Sequence, residues 1–398
     1  MFVHRSVDLH ALSVRGGMAA SSPQVARSSL CATWTVGLYL ASEFMLTSLS
    51  ELPLPSLLPV IPLLPVKNAP HAINRSTASF TQEELALIRL GRRLRQADYH
   101  FITVTPDTHR LVNARSANES ARDVRDIFGW NRPFSYHVLP QSMWNDLQNT
   151  EVFEQLEDGR FRSRVRFSTI DEQLILHSGF PTVTQDAVFF GPDTYRFVQH
   201  LRRFVGSGSA LLEIGAGTGA AALCFGERFK HLVMTDINPR AVRYARINAA
   251  LAGYTQAEVV CADIAGAITG SFDAIIANPP YMIDPHKRWY RDGGCLGIAL
   301  TLRMVLGALP LLAPGGRLVF YTGSPVIAGE DRLKAALIPL LTKAGLECQY
   351  EELEVDVFGS DMNDPAYAEI ERIAVVGIVA GTSPTMTAVR LSSAGSYI

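Results

Sequence analysis

The sequence is poor in features that mark several classes of protein. Five cysteines occur in 398 residues, and they form neither a CxxC pair nor a cluster with metal-ligand spacing. The formal net charge is only −2, and no lysine occurs between Thr81 and Val205. These shortages argue against a disulfide scaffold, a cysteine-ligated metal centre and a broadly basic nucleic-acid-binding protein. We expect buried free thiols, no metal, and a cytoplasmic enzyme.

Residues 1–75 lack the pattern of a packed domain. Leu30–Leu49 is fairly apolar but contains Glu43, and five prolines between residues 53 and 65 forbid a continuous helix after it. We favour a disordered or non-native leader, with the real start of translation at Met45. A signal peptide, with arginines ahead of the apolar stretch, and a single membrane anchor stay open as alternatives. No stable membrane association is expected.

The pattern of residues 76–187 predicts a smaller α+β domain, which we expect to recognise the substrate. Thr81 is placed to cap a helix, because Glu84 follows three residues later and an apolar helical spacing comes next. Further elements are predicted as a strand at Phe101–Val104, helices at Arg122–Phe128 and Gln141–Leu156, and a hairpin that pairs Arg160–Phe167 with Gln173–His177.

Arginines alternate with apolar residues along the first strand of that hairpin. Period two places Arg160, Arg162, Arg164 and Arg166 on one face of a strand. Such a face fits a nucleic-acid backbone, or it is a solvated outer face balanced by the acids of residues 151–158. The acids of the whole region roughly cancel its arginines, which favours the solvated face.

Residues 188–382 alternate between apolar runs and helical patterns, which predicts a doubly wound α/β domain, followed by a tail at residues 383–398. Asp193 or Thr194 is placed to cap its first helix, which runs to Arg203. Strands are predicted at Ala210–Ile214, His231–Thr235, Ala257–Cys261, Phe272–Ala277, Arg317–Tyr321, Glu347–Leu353 and Arg372–Val379, and helices at Gly219–Phe229, Pro239–Leu251, Leu296–Leu309 and Asp331–Ala344.

The first of these strands leads into a turn with three alternate glycines. Gly215, Gly217 and Gly219 let the backbone approach a ligand, and Asp236 after the second strand suits two ribose hydroxyls. This arrangement also fits a dinucleotide fingerprint, so the glycines leave a nicotinamide cofactor and S-adenosylmethionine both open. Glu213, before the first glycine, and Asp263, after the third strand, favour S-adenosylmethionine.

The fourth strand ends in Asn278-Pro279-Pro280-Tyr281, which a nicotinamide enzyme does not need. The nitrogen of a planar amide or base amine is a poor nucleophile because its lone pair is delocalised. The Asn278 side-chain oxygen and the Pro279 carbonyl can accept its N–H groups and stabilise positive charge as it develops on the nitrogen. Two prolines make the turn rigid, and Tyr281 can stack on the planar group.

These motifs resemble class I S-adenosylmethionine-dependent methyltransferases with an NPPY motif, in particular the methyltransferase small domain of HemK-like release-factor glutamine methyltransferases. The resemblance covers Val188 to about Ala380 and implies a Rossmann-like, seven-stranded domain after the smaller α+β one. It implies a catalytic turn of Asn278, Pro279, Pro280 and Tyr281. It implies cofactor-binding positions at Glu213, Gly215, Ala216, Gly217, Gly219, Asp236, Ile237, Asn238, Asp263, Ile264, Asn278 and Thr194.

The chain departs from the pattern of that family at three places. The region before Val188 does not resemble the family's short helical N-terminal domain. Pro192-Asp193-Thr194 has aspartate where the family's Pro-Glu-Thr segment has glutamate. The fifth strand ends in Tyr321-Thr322-Gly323 and lacks the acidic ending typical of the family. These differences concern the substrate more than the cofactor.

We therefore predict an N-methyltransferase that acts on a planar amide or amine of a macromolecule. The first hypothesis for its acceptor is a protein glutamine side chain. An RNA or DNA base amine (adenine N6 or guanine N2) is the alternative, and a non-catalytic cofactor-binding module is the alternative from another class.

Removal of the leader tests the assignment of residues 1–75. A chain that begins near Ser76 should fold and bind S-adenosylmethionine as the full chain does, because the deleted segment lacks both periodicity and a continuous span. Thermal unfolding and calorimetric titration measure the two properties. Insolubility, or loss of the thermal transition, would show that the segment belongs to the core.

Overall fold

A mixed sheet with helices on both faces forms the centre of the molecule. In the computed structural model the described residues are 79–148, 150–266 and 268–382, and all of them fall within one compact unit. The predicted leader (1–75) and tail (383–398) lie outside the described residues. The boundary predicted between residues 187 and 188 stays a prediction.

The first part of the described chain is α+β. Its helices are α1 (Gln82–Gln96), α2 (Pro106–Asn113), α3 (Val124–Phe128) and α4 (Gln141–Leu147), and its strands are β1 (Phe153–Gln155), β2 (Phe161–Ser163), β3 (Val165–Ile170) and β4 (Gln173–Ser178). The capping box of α1 is confirmed, since Thr81 Oγ1 accepts from Glu84 N at 3.2 Å and Glu84 Oε2 accepts from Thr81 N at 2.7 Å.

The second part alternates strands and helices as predicted. Its helices are α5 (Pro192–Phe204), α6 (Ala220–Cys224), α7 (Pro239–Ala252), α8 (Ala299–Ala308) and α9 (Arg332–Lys343). Its strands are β5 (Gly208–Ile214), β6 (Phe229–Asp236), β7 (Glu258–Cys261), β8 (Phe272–Ala277), β9 (Leu312–Ile327), β10 (Glu330–Asp331), β11 (Glu347–Glu354) and β12 (Arg372–Gly381).

The strand order is β11-β12-β9-β8-β5-β6-β7, with β10 paired to β9. Strands β7, β6, β5, β8 and β9 run parallel, and β12 and β11 are antiparallel to their neighbours. Leu211 packs with the helices on one face and Leu212 with those on the other, because successive side chains point to opposite faces. The predicted Rossmann-like fold with an antiparallel end is confirmed.

A third hydrophobic core joins the two parts of the chain. Phe167 and Leu176 of the β3–β4 hairpin pack in one cluster with Tyr244 and Ile247 of α7. The buried amide of Asn248 completes the contact: its Oδ1 accepts from Leu176 N at 2.8 Å, and its Nδ2 donates to Leu176 O at 3.0 Å. A helix of the second part is therefore a wall of the first part's core.

Three elements in the first part differ from the predictions. Residues 101–104 belong to no helix or strand; Phe101 O accepts from Thr169 N at 2.8 Å. The helix predicted at Gln141–Leu156 ends at Leu147, because Phe153 pairs in β1 and its ring stacks on Trp144, 5.8 Å away. The arginine-rich strand is divided at Arg164, with β2 paired to β1 and β3 paired to β4.

Two helix predictions in the second part are also corrected. The helix predicted at Gly219–Phe229 ends at Cys224, since Gly226 lies against the Tyr254 ring and Phe229 already begins β6. Neither Asp193 nor Thr194 is the N-cap of α5, which begins at Pro192 directly after Gly191.

The arginines do not form one continuous face. Arg160 pairs with Asp158 at 2.6 Å and Arg162 with Glu154 at 3.5 Å, as the solvated alternative predicts. Arg166 is only 4% exposed; its Nε donates to Gly129 O at 2.8 Å and its guanidinium lies over the Phe101 ring. A buried arginine cannot contact a nucleic-acid backbone, so the period-two face ends before it.

The four cysteines of the described segments are free, but they are not all buried as expected. Cys261 and Cys295 are exposed, Cys224 and Cys348 are partly buried, and Cys31 lies outside the described residues. Of the helices in the described segments, none has the length and apolarity needed to cross a bilayer.

Candidate active site

The turns after four parallel strands open into one large cavity. Ile214 of β5 lies opposite Thr235 of β6 and Ala277 of β8, and Asp236 lies opposite Cys261 of β7. This register places the ends of the four strands side by side. The cavity they border has a volume of about 1160 Å³. It is lined by every predicted site residue except Gly219 and by residues from both parts of the chain.

The three glycines of the first turn have different physical roles. All have positive φ, +66° at Gly215, +55° at Gly217 and +73° at Gly219. A Cβ added at Gly217 would meet nothing within 4 Å, so this backbone faces open space. A Cβ at Gly219 would lie 2.6 Å from the sulfur of Met234, so this glycine permits close packing beneath the turn. Gly217 is therefore the glycine that exposes backbone to a ligand.

Asp236 holds the glycine turn from the end of β6. Its Oδ2 accepts from Gly217 N at 2.8 Å, and its Oδ1 accepts from Asn238 N at 2.8 Å. Burial raises the pKa of Asp236, and these N–H donors oppose that shift. The carboxylate thus organises its surroundings as well as lining the cavity.

Glu213 is a buried acid beneath the turn. Its side chain is 4% exposed, and Oε2 accepts from Ala222 N, in α6, at 2.9 Å. Burial raises the pKa of Glu213 to about 8, a shift that the Ala222 N–H partly opposes and nearby Asp236 reinforces. A carboxylate in this position stabilises a positively charged ligand group.

The remaining predicted cofactor residues differ in exposure. Asp263 is exposed and pairs with Arg303 at 2.8 Å, and Ile237 is 51% exposed. Ile264 adopts a left-handed backbone with φ +58°. The Asn238 side chain is engaged by the protein, since its Oδ1 accepts from Arg240 N and its Nδ2 donates to Asp186 O. Thr194 Oγ1 accepts from Gly191 N at 3.5 Å.

The turn after β8 presents two acceptor groups to the cavity. Within the described part of the chain, neither the Asn278 side chain nor the Pro279 carbonyl has a hydrogen-bond partner, and both residues line the cavity. Polar groups that line a cavity without internal partners are available to a ligand. Pro280 lies on the same lining.

Tyr281 is less accessible than a stacking platform should be. It is 7% exposed, and its hydroxyl donates to Asp193 Oδ2 at 2.6 Å. Burial, with Asp193 adding to it, raises the pKa of Tyr281 well above the usual value. The stacking role predicted for the ring stays a prediction, while the bond to Asp193 is a contact that the sequence did not reveal.

A second wall of the cavity was missed altogether. Trp289 N donates to Gln185 O at 3.1 Å, and the Tyr290 hydroxyl donates to Thr182 O at 2.7 Å. Tyr290 also stacks on Phe189, with 5.5 Å between the ring centres. The segment before α5 and the loop after the Asn278 turn thus close the cavity together. No periodicity marks either segment in the sequence.

The cavity lining holds its positive charges in ion pairs. Five cationic side chains line it, and each lies within 4 Å of a carboxylate in the described chain. The pairs are Arg196–Glu354, Lys287–Asp292, Arg288–Asp284, Arg291–Asp361 and Arg303–Asp263. The Arg288 guanidinium lowers the pKa of Asp284 to about 2. The lining therefore offers no concentrated positive charge to a polyanion.

Glu213→Gln should stabilise the free protein increasingly as pH rises. The folded-state pKa of Glu213 is raised to about 8, above its ordinary value near 4.5. The free energy of unfolding of the wild type therefore falls as pH rises from about 4.5 to 8. Wild type and Glu213→Gln should unfold at similar temperatures at pH 5. At pH 8 the Gln variant should unfold at a higher temperature than the wild type. Thermal scans from pH 5 to 8.5 test this, with exposed Glu347→Gln as the control. A pH-independent difference would contradict it.

Asp236→Ala should weaken S-adenosylmethionine binding by roughly 1.5–3 kcal/mol, the range for loss of a charge-assisted hydrogen bond. Asp263→Ala is the matched control and should cost less, because its side chain is 57% exposed and already paired. Isothermal titration with S-adenosylhomocysteine measures both. Micromolar NAD binding with no response to S-adenosylhomocysteine would refute the cofactor assignment.

Comparison with known proteins matches this chain to a family of methyltransferases. The methyltransferase small domain family matches residues 191–336. A candidate protein N5-glutamine methyltransferase of Methanocaldococcus jannaschii is 34% identical over 157 residues, which are 36% of this chain and 78% of that one.

Two further relatives are matched over less of their length. The release factor glutamine methyltransferase of Deinococcus radiodurans is 33% identical over 31% of this chain and 49% of its own. The ribosomal RNA small subunit methyltransferase C of Sodalis glossinidius is 34% identical over 27% of this chain and 28% of its own.

The glycine turn, the strand-end acids and the Asn278 turn lie within residues 191–336, the range that the family matches. Since one relative is matched at 34% identity over 78% of its length, common ancestry accounts for the agreement. The chain belongs to the methyltransferase small domain family and is an S-adenosylmethionine-dependent, HemK-like class I methyltransferase.

Proposed function

We propose that this protein is an N-methyltransferase whose acceptor is a planar amide nitrogen, and that the amide is a protein glutamine side chain. The observation that carries this proposal is the pair of acceptor groups at the end of β8. Asn278 and Pro279 line the cavity. Among the described residues, neither the Asn278 side chain nor the Pro279 carbonyl has a hydrogen-bond partner.

The cavity fits S-adenosylmethionine, which supplies a methyl group on a positively charged sulfur. Gly217 leaves open space above its backbone, as close approach of a ligand requires. Glu213 places a buried carboxyl where a ligand ammonium can satisfy it, and Asp236 places a second one at the end of β6. Asp263 and Ile237, both exposed at the cavity, fit contacts to the nucleoside.

Asn278 and Pro279 orient the acceptor nitrogen. Their oxygens accept its two N–H groups, which directs the nitrogen lone pair toward the methyl group and favours the charge that develops on the nitrogen. The two prolines limit the motion of the turn, so alignment costs little conformational entropy. A strong general base is not needed, because the methylated nitrogen is acidic enough to lose its proton afterwards.

The charge of the lining supports a neutral acceptor. Every lysine and arginine on the described cavity surface is already paired with a carboxylate. A polynucleotide would have to compete with these carboxylates for each cation, whereas a glutamine side chain brings no charge. Two of the relatives are named as glutamine methyltransferases, which points the same way.

A base amine of RNA or DNA is the second candidate. The similarity to ribosomal RNA small subunit methyltransferase C favours it, because an exocyclic amine presents the same two N–H groups to Asn278 and Pro279. Arg160 and Arg162 of the first part are on the surface but engaged with acids, so they provide little free positive charge. A non-catalytic module is disfavoured, since it would have no use for acceptor groups held at the cavity.

The acceptor is identified by incubating the protein with tritiated S-adenosylmethionine and a cell lysate. We expect label in protein, released by complete proteolytic digestion as methylated glutamine and by acid hydrolysis, which cleaves the side-chain amide, as labelled methylamine. Label in RNA or DNA would establish the second candidate, and label in neither would refute methyl transfer to macromolecules.

On the labelled fraction, Asn278→Ala should lower turnover on the order of 10²–10³-fold, because the lost acceptor matters most as charge develops on the nitrogen. Cofactor affinity should change by less than about tenfold. Asn278→Asp keeps an oxygen and should retain some activity, and exposed Asn145→Ala is the control. Wild-type turnover by the alanine variant would refute the role of this turn.

A further inference from the structure

Tyr281 is fixed at both ends of its side chain. Its hydroxyl donates to Asp193 Oδ2 at 2.6 Å, in the first turn of α5. Its ring lies directly on β9 at Gly323, where an added Cβ would come within 2.2 Å of a ring carbon. Gly323 does not have positive φ, so space for the ring, and not backbone conformation, accounts for the glycine.

The two residues that hold Tyr281 both lie in segments where the chain departs from the family pattern. Asp193 stands where glutamate is typical. The strand predicted to end at Tyr321–Gly323 continues to Ile327, so Gly323 lies inside β9. Asp193 and Gly323 are 130 positions apart, yet both contact one side chain. A Cβ at residue 323 would clash with the ring, so the ring can occupy this place only beside a glycine.

We propose that Asp193 and Gly323 are positioning residues that anchor the Asn278–Tyr281 turn through Tyr281, and that the Tyr281 ring does not stack on the acceptor. This inference rests on the proposed function of the turn. Asp193 accepts a short, charge-assisted hydrogen bond, and Arg196 Nη1 lies 3.6 Å from its other oxygen. Pro279 and Pro280 are rigid, so displacement of Tyr281 moves Asn278.

Tyr281→Phe distinguishes the anchoring role of Tyr281 from a stacking role, because the variant lacks the hydroxyl and keeps the ring. If the hydroxyl anchors the turn, kcat of this variant should fall at least about tenfold, since small errors in the placement of Asn278 are costly in a catalytic site. Affinity for S-adenosylhomocysteine should stay within about twofold. Tyr350→Phe is the matched control: its hydroxyl donates to Asp331 Oδ2 at 2.9 Å, away from the cavity, and kcat should be unchanged.

Substitution of Asp193 should lower kcat as Tyr281→Phe does, because it removes the same hydrogen bond. Asp193→Ala should match Tyr281→Phe, and the double variant should be no slower than the slower single variant, since both remove one interaction. Asp193→Asn keeps an oxygen that accepts the hydroxyl and should recover most of the rate. Gly323→Ala should also lower kcat, by displacing the ring. Turnover is measured as tritium incorporated into the lysate fraction, protein or nucleic acid, that the wild type labels.

A second readout needs no acceptor. Amide hydrogen exchange of a peptide spanning residues 277–284 should be faster in Tyr281→Phe and in Asp193→Ala than in the wild type, and no faster in the double variant. If the wild type labels nothing, the proposed function fails while exchange still tests the anchor. Wild-type exchange and turnover in Tyr281→Phe, or additive losses in the double variant, would overturn the anchor and leave the proposed function standing.

Discussion

Parallel pairing of β5 with β6 on one side and β8 on the other is the constraint on which the site depends. In a parallel arrangement the carboxyl ends of neighbouring strands meet at one edge, and Ile214 lies in register with both Thr235 and Ala277. The glycine turn, the carboxylate after β6 and the turn after β8 therefore face one opening. The hydrophobic cores on both faces of the sheet hold this register, since a slip of one residue would exchange the two faces.

Buried polar contacts then fix the turns within that frame. Asp236 ties its own strand end to Gly217, and Asn248 Nδ2 donates to Thr218 O at 2.9 Å while the same amide holds Leu176. The β3–β4 hairpin, α7 and the glycine turn are thus connected through one side chain. Glu213 is different, because its buried carboxyl has a raised pKa and destabilises the free protein at neutral pH. Such a local cost is typical of groups kept for ligand binding.

The cavity belongs to both parts of the chain. Residues before α5 form hydrogen bonds with Trp289 and Tyr290, in the loop after the Asn278 turn, and the hairpin shares its core with α7. The first part therefore forms some of the cavity wall as well as carrying its own core. The lysine and arginine side chains that line the cavity in the described chain are all paired with carboxylates, so the lining carries little free positive charge.

The sequence by itself determined the second part of the fold and most of the site. Buried parallel strands are apolar runs, and this local signal predicted the five parallel strands and the placement of Glu213, Asp236 and Asn278 around one opening. The antiparallel strands β11 and β12 were also predicted, although β11 is rich in charged residues. In the first part local pattern failed, because the helix after Gln141 was cut short by aromatic packing of Phe153 and Arg166 turned inward onto Phe101. Only the tertiary structure decided which side chains meet across long separations. Asp193 reaches Tyr281 across 88 positions and Gly323 makes room for its ring, and contacts of that kind leave no periodic trace in a chain.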